Sequence, residues 1–551
     1  MVGLDKETRQ MVLETIREYG RKHLPHAKLI ELDSKNEFPV DIMKDLYDPN
    51  QVACNLIMIP TKYGGLGGNS YDIYRACEEL ARIDLGVCTS VFATFLGMDP
   101  IFVGGTEAQK EKWIKKIAES SCYVAYGATE AAAGSDLLHL KTKAERVMDG
   151  DKIVGYTLNG GKMWITNGGV AGVYTILARA PKGVSWFVIE KGTKGLSSDK
   201  HEDKHGIRLS DTTPVNLQDV FVPAENLIGE VEGKGLRQAQ AVFGYTRLMV
   251  AAMALGAGWK AIEYAVRYSQ QRKVGGQPLN TKQGFTHKLI VPFAARLEAC
   301  RAYVEEVAHR IDGGEDGLQT EGAIAKMLAS ETGDAACNSA IQAFGGNGYV
   351  REFPVEKLKR DIKITCIYEG TTEILQLTTF RERWQANINA EGKFYDAIAD
   401  EMTALNAKDP GVGAGAAATA LRALSAALKA CYEEKLTSNQ IAHLKLGELM
   451  AFAETAAAFC RAAAKPELPE SASFGRDAWR AMSRIHAAHT ASWIASEGLE
   501  LVAGCTAADA SGLADTLDFK AVARAQKAAV ADMDLVALEL VRVFKEEEIA
   551  G

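Results

Sequence analysis

The chain has 551 residues, 47% of them hydrophobic and 24% charged. That is too long for one compact core and suits a globular protein of about three or four domains. A net charge of −8 gives no electrostatic reason to expect nucleic acid or an anionic membrane as partner. The ten cysteines are dispersed without a CxxC pair, which fits buried thiols in a reducing compartment better than a disulfide framework. No signal-like or Arg-rich leader precedes Leu4, and no uninterrupted apolar run reads as long enough to span a bilayer. A soluble, cytoplasmic protein without an integral membrane segment is expected.

Residues 1–120 read as helical. Apolar residues at Met11, Val12, Ile16, Tyr19 and Leu24 follow a helical period, and Pro39 opens a helix at Val40. The stretch from Ile57 to Gly68 is a glycine-rich break without the third glycine or acidic ribose reader of a dinucleotide fingerprint. Tyr71–Leu80 and Ser90–Val103 continue the helical pattern. Thr106-Glu107-Ala108-Gln109 has the form of a capped helix start.

Residues 121–232 change character, with more glycine, threonine and valine and with turn pairs at Asp149-Gly150-Asp151 and Asn159-Gly160-Gly161. Strands are predicted at Ile153–Leu158, Val173–Ala178, Ser185–Ile189 and Val215–Val222. Tyr126-Gly127-Ala128-Thr129-Glu130-Ala131-Ala132-Ala133-Gly134-Ser135 ends a strand in a loop of small and hydroxyl residues. Lys162-Met163-Trp164-Ile165-Thr166 sets a tryptophan two residues from a threonine, so on a strand both would share one face and could meet one planar ligand. For the tryptophan alone, core packing is the simpler account. His201-Glu202-Asp203-Lys204-His205 matches the zinc-protease pattern HExxH, but its loop-forming flanks lack the helix that this chemistry needs, so no metal is expected.

Residues 233–388 read as helical again, with long segments at Met249–Ser269, Leu289–Ile311 and Thr320–Ala343 before the break Gly345-Gly346-Asn347-Gly348. Near the end lies Thr365-Cys366-Ile367-Tyr368-Glu369-Gly370-Thr371-Thr372-Glu373. A carboxylate between an aromatic and a glycine suits a general base, because desolvation raises its pKa and glycine admits a ligand to the backbone. Taken alone, such a glutamate is more often an acidic surface turn.

The run from Arg360 through Ile374, in company with the motifs above, resembles the acyl-CoA dehydrogenase family over residues 1–388. The resemblance implies a mainly α fold with a central β-domain set between an N-terminal and a C-terminal α-bundle. It implies FAD as cofactor and Glu369 as the base that takes the α-proton of an acyl-CoA thioester. The product would be a 2,3-enoyl-CoA, and electrons would leave to an electron-transferring flavoprotein. Tyr126, Ala128, Thr129, Gly134, Ser135, Trp164, Ile165 and Thr166 would contact the flavin, with Ser135 also near substrate. Arg272, Gln283, Gln342, Gly345 and Gly346 would hold the FAD of a partner subunit, while Thr371 and Glu373 would touch the chain's own. Gly244, Tyr245, Thr246 and Arg247 would line the CoA side, and Gly370 would also contact substrate. Val87, Val91, Phe92 and Phe95 would line the acyl pocket. Glutaryl-CoA dehydrogenases carry an arginine and a serine where this chain has Val87 and Val91. Burying an unpaired carboxylate there would cost several kcal/mol, so a monocarboxylic chain is expected.

Three departures stand out. The TEPxAGSD loop lacks its proline at Ala131, which should loosen it. The segment Arg272-Lys273-Val274-Gly275-Gly276 lacks an aromatic. Thr246 stands before Arg247 where some relatives place the catalytic glutamate. Residues 389–551 form an additional helical extension, like that of very-long-chain acyl-CoA dehydrogenases and some bacterial relatives, after a flexible link at Asp409-Pro410-Gly411-Val412-Gly413. Apolar stripes are predicted at Leu421, Leu424, Leu428, Tyr432 and at Ile441, Leu444, Leu446, Met450, Phe452. The extension would take the place of the second dimer in a tetramer, so a homodimer is expected. An oxidase or enoyl-CoA reductase on the same scaffold stays open. A DNA-associated flavoprotein would need a basic extension, and this one has 23 acidic against 16 basic residues.

Overall fold

A computed structural model describes residues 3–506 and 510–545. The chain divides into two compact units. One holds residues up to Met249 with Ile311–Gln319, and the other Val250–Arg310 with residues from Thr320 onward.

In the first unit six helices precede the sheet: α1 (Lys6–His23), α2 (His26–Lys35), α3 (Val40–Tyr47), α4 (Ser70–Ile83), α5 (Leu85–Gly104) and α6 (Glu107–Ser120). Their starts follow local chemistry. Pro39 precedes α3, and Thr106 and Gln109 close a reciprocal capping box on α6. Contrary to the sequence expectation, α5 is long and apolar enough to cross a membrane, with a mean hydropathy of 1.5. It is instead a core helix: 78% of that stretch is buried, and the side chain of Asp84 caps its start by accepting from the Val87 amide.

The sheet comprises β1 (Val124–Gly127), β2 (Lys143–Asp149), β3 (Lys152–Thr166), β4 (Val173–Ala180), β5 (Gly183–Glu190), β6 (Leu196–Ser198) and β7 (Thr212–Pro223). The order is β1-β4-β2-β3-β7-β6, with β5 antiparallel along β4. Its inner face buries Tyr156, Leu158, Ile165, Ile176, Phe187, Val215 and Leu217 in one cluster. The expected turn at Asn159-Gly160-Gly161 is instead part of β3, which passes through with a register shift. Gly160 is needed there because a Cβ would fall 2.4 Å from the Thr142 hydroxyl. The HExxH segment is a loop, and the Nε2 of His201 accepts a hydrogen bond from Lys204.

The long helix α7 (Gly235–Gln271) leads into the second unit, with a short hairpin of β8 (Lys273–Val274) and β9 (Gln277–Pro278) after it. Then come α8 (Gln283–Leu289), α9 (Val291–Asp312), α10 (Gln319–Phe344), α11 (Pro354–Ile362) and α12 (Thr372–Asn389). The extension supplies α13 (Phe394–Lys408), α14 (Ala414–Glu433), α15 (Gln440–Ala464), α16 (Arg476–Cys505), α17 (Ser511–Thr516), α18 (Phe519–Ala525) and α19 (Ala529–Val543).

Leu421, Leu424, Leu428, Leu446, Met450 and Phe452 are buried as their stripes require, each such side chain contributing roughly 1.5–3 kcal/mol. Tyr432 and Ile441 depart from those stripes and stand 66% and 63% exposed. Nor is the link after α13 a loose one. Val412 is buried, its carbonyl accepts from Ser483 at 2.8 Å, the Gly411 carbonyl accepts from Arg484 at 2.6 Å, and Asp409 pairs with Arg480. Gly447 on α15 lies so close to α12 that a Cβ would meet the Gln376 carbonyl at 2.2 Å.

A buried polar node fastens the extension to the preceding helices. Arg383 on α12 donates to Glu454 on α15 at 2.7 and 2.9 Å and to Glu321 on α10 at 3.0 Å. The phenols of Tyr303 (α9) and Tyr395 (α13) also donate to Glu454, at 3.1 and 3.2 Å. Burial, then the Glu454 charge, pushes both phenols well above their ordinary pKa. Removing one partner of such a buried pair leaves a charge and its donors uncompensated. Glu454→Ala is therefore expected to cost about 3 kcal/mol of stability. Denaturant unfolding of the full-length protein checks this, and a cost below about 1 kcal/mol, the level of an exposed pair, would contradict it.

Candidate functional site

In the first unit, β1 delivers the loop that follows Gly127. Its fixed point is Glu130, which is buried although Ala131 and Ala132 after it are exposed. The Glu130 carboxylate accepts from the amides of Lys141 at 2.6 Å and Thr142 at 3.0 Å, and from the buried Lys162 ammonium at 2.7 Å. Glu130 and Ala133 also exchange backbone hydrogen bonds at 2.9 and 3.1 Å. The loop expected to be loose without its proline is thus pinned by an ion pair and a bridge. Burial alone would raise the Glu130 carboxyl, but hydrogen bonds from Lys162, Thr142 and the Lys141 backbone bring it down to about 2. Ala128 is buried, Tyr126 and Thr129 are half-buried, and Gly134 and Ser135 are exposed. The Tyr126 ring lies 4.7 Å from that of Trp186.

Lys162 and Trp164 belong to the same strand, β3, but its alternation fails between them. The register shifts between Lys162 and Ile165, and Trp164 has a φ of 57°. The expectation that Trp164 and Thr166 share a face through regular strand geometry is therefore corrected: a bulge presents them. Core packing of Trp164 is corrected too, since its side chain is 58% exposed. A bulky residue at positive φ displayed to solvent is a strained arrangement that points to function. Ile165 turns the other way into the sheet core, so only its backbone faces outward chemistry. Beside Thr166 and Ile165, the strand partners Thr212 and Thr213 carry buried hydroxyl oxygens with no hydrogen-bond partner among the described residues. An aromatic plate, an open loop of amides and hydroxyls, and unmet hydrogen-bonding capacity fit a flat heteroaromatic cofactor such as a flavin.

Val87, Val91, Phe92 and Phe95 are all buried on α5, with the two rings 5.3 Å apart. Tyr245 is half-buried, whereas Thr246 and Arg247 are buried. Thr246 donates back to the Val242 carbonyl at 3.3 Å, and Arg247 donates to the Gln319 carbonyl at 3.4 Å.

In the second unit, a short 3₁₀ turn after α11 leads into the Glu369 loop. Glu369 has a φ of 55° and Gly370 of 101°, and Thr371 then caps α12 by accepting from the Ile374 amide at 3.4 Å. Glu369 is half-buried, Tyr368 donates to the Met253 sulfur at 3.4 Å, and Glu373 is exposed. A left-handed glutamate followed by a glycine that only an unhindered backbone can adopt makes a sharp reversal just before a helix N-terminus.

Elsewhere on this unit Arg272, Gln342, Gly345 and Gly346 are exposed, and a Cβ on either glycine would meet nothing within 4 Å. Tyr268, which sequence reasoning missed, joins them. Its carbonyl accepts from the Arg272 amide at 2.9 Å, its phenol accepts from Asn347 at 3.2 Å, and its ring stacks on Phe344 at 4.1 Å. Gln283 is exposed and donates to Asp534 of α19 at 3.0 Å.

Comparison with known proteins agrees with this arrangement. Models described as the N-terminal, middle and C-terminal domains of acyl-CoA dehydrogenase match residues 6–121, 125–220 and 233–384. The short-chain-specific acyl-CoA dehydrogenase of Megasphaera elsdenii is 38% identical over 382 residues, 68% of this chain and 97% of that protein. A solved structure described as the electron transferring flavoprotein of Acidaminococcus fermentans is 33% identical with a TM-score of 0.64, covering 69% of this chain and 98% of that one. The FAD complex of an acyl-CoA dehydrogenase from Bacillus anthracis is 22% identical with a TM-score of 0.83, covering 98% of this chain and 96% of that one. That last likeness shows a fold shared through the extension.

The Glu130 anchor has a pH consequence. Its folded pKa lies below the ordinary carboxylate value, so its contribution is complete above about pH 4.5 and is lost as pH falls toward 2. Thermal unfolding of the wild type should lose roughly 2–3 kcal/mol more than Glu130→Gln across that window. Parallel pH profiles for the two proteins would contradict the anchor.

Proposed function

Because the chain belongs to the acyl-CoA dehydrogenase family, we propose that it oxidises an acyl-CoA thioester with Glu369 as the base. It is an FAD-dependent oxidoreductase of mainly α fold with a central β-domain. When bound, FAD supplies the two-electron acceptor for the hydrogen leaving the β-carbon. The residues that would hold it are the Thr129–Ser135 loop, Trp164 and Thr166, with Thr371 and Glu373. Arg272, Gln283, Gln342, Gly345 and Gly346 would hold the FAD of a partner subunit.

The observation that carries the reading is the reversal at Glu369 and Gly370. It presents a half-buried carboxylate from a backbone too constrained to drift, and a base must be held at the proton it removes. The Glu369 amide is the proposed donor to the thioester carbonyl, where negative charge develops as the α-proton leaves. Thr246 is buried and bonded back into its own helix, which supports Glu369 as the base in its stead.

Val87, Val91, Phe92 and Phe95 carry no charge, which supports a monocarboxylic acyl chain. The short-chain specificity of the Megasphaera relative supports a short one. Transfer of electrons to an electron-transferring flavoprotein is part of the proposal, supported by the likeness to the Acidaminococcus protein. So is a homodimer, because the Arg272 and Gln342 surface would serve a second subunit's cofactor. The ten unpaired cysteines support a reducing, cytoplasmic setting.

Glu369→Gln keeps the side-chain shape and removes the base. The variant should still bind butyryl-CoA, while bleaching of its flavin under anaerobic conditions slows by about 10³-fold or more. Near-normal bleaching would assign the proton to another residue.

A further inference from the structure

The loop that carries Glu369 rests on α10, and one residue of α10 is conspicuous there. Lys326 is the lone charge in the apolar run Gly322-Ala323-Ile324-Ala325-Lys326-Met327-Leu328-Ala329, and its side chain is fully buried. A buried ammonium is retained only where it meets oxygen acceptors. The Lys326 ammonium donates to the carbonyl of Gly370, the residue that follows the proposed base. Two neighbours on α10 extend the cradle. Ser330 donates to the Thr365 carbonyl at 3.0 Å, and Glu331 accepts from the Thr372 hydroxyl at 2.6 Å. Ser330, four residues after Lys326, shares its helix face, whereas Glu331 lies further round the helix and is exposed, so α10 grips the loop at its start, centre and end from two adjoining sides.

We infer that Lys326 is a positioning residue for the base, an assignment that rests on the Glu369 reading above. Gly370 reaches its φ of 101° freely, but a glutamate at 55° sits outside the basins that non-glycine residues ordinarily occupy and keeps that geometry only if its surroundings impose it. A charge-assisted hydrogen bond in a buried setting is about twice as strong as a neutral one and does so at the centre of the reversal. Without it, the Gly370 carbonyl is free to turn, and the Glu369 backbone relaxes toward negative φ. The carboxylate then moves away from the α-carbon while the acyl-CoA contacts stay in place. Such a change lowers the limiting rate and leaves affinity nearly untouched.

The test uses the full-length FAD-bound protein and anaerobic stopped-flow bleaching by butyryl-CoA. Lys326→Met fills the same space without a donor. It should retain FAD and an apparent Kd within about threefold of the wild type while the limiting rate falls about 10–100-fold. Lys326→Arg, which keeps the charged donor, should recover most of that rate. Should the methionine variant not fold, Lys326→Gln, which keeps a neutral donor, is expected to show the same split between rate and affinity. A limiting rate within twofold of wild type in the folded variant would overturn the assignment, as would a loss confined to FAD or acyl-CoA affinity. Glu369→Gln measured alongside separates the two claims. If it is inert while Lys326→Met is unimpaired, only the Lys326 assignment fails. If it bleaches at the normal rate, the base reading fails and takes this inference with it.

Discussion

The proposed chemistry depends on a backbone constraint, the two successive positive φ values at Glu369 and Gly370. Glycine adopts its positive φ freely, but for a glutamate the left-handed region is sparsely populated. The surroundings supply what local preference does not. Thr371 caps α12 immediately afterward, α10 holds the loop through Lys326, Ser330 and Glu331, and Tyr368 is tied to Met253. The strand proposed to meet the cofactor in the first unit obeys the same logic. Trp164 is strained and exposed, yet it sits two residues from Lys162, whose buried pair with Glu130 fixes both the strand and the loop facing it.

The extension is part of the second unit's core. Arg383, Glu454, Tyr303 and Tyr395 come from four different helices and satisfy one another in a largely buried node. Trp479 on α16 donates to Glu298 on α9 at 3.1 Å, adding a second tie. A chain added only as a tether would not need buried ion pairs whose partners lie in the helices bearing the site. Asp534 reaches back to Gln283, so the last helix also touches a residue proposed to serve a partner's cofactor.

Much of the fold could be read from periodicity and punctuation. The helices of residues 1–120 and 233–388 follow their apolar stripes, and Pro39 and Thr106 mark starts by donor chemistry. β2 escaped notice because Lys143, Glu145 and Asp149 leave only Ala144 buried, so no apolar alternation exists to detect. Asn159-Gly160-Gly161 misled because glycine serves close approach as well as turning, and only the neighbouring strand distinguishes the two. The cradle of the proposed base was written in the sequence as one lysine in an apolar helix. Its partner is a backbone carbonyl 44 residues away, and carbonyls leave no mark in a sequence. For Trp164 taken alone the sequence favours core packing, because burial statistics describe regular strands and the bulge that exposes it forms through pairing with β7.

The central claim is that a fixed carboxylate removes the α-proton of an acyl-CoA, and proton removal can be watched apart from oxidation. A CoA thioester with an α-CH₂ group and a quaternary β-carbon, such as 3,3-dimethylbutanoyl-CoA, has no β-hydrogen to lose. Incubated with the FAD-bound enzyme in deuterated water, it should exchange its α-hydrogens for deuterium by NMR while the flavin keeps its oxidised spectrum. An enzyme that bleaches readily with butyryl-CoA and binds the blocked thioester, yet leaves its α-hydrogens unexchanged, would contradict the account.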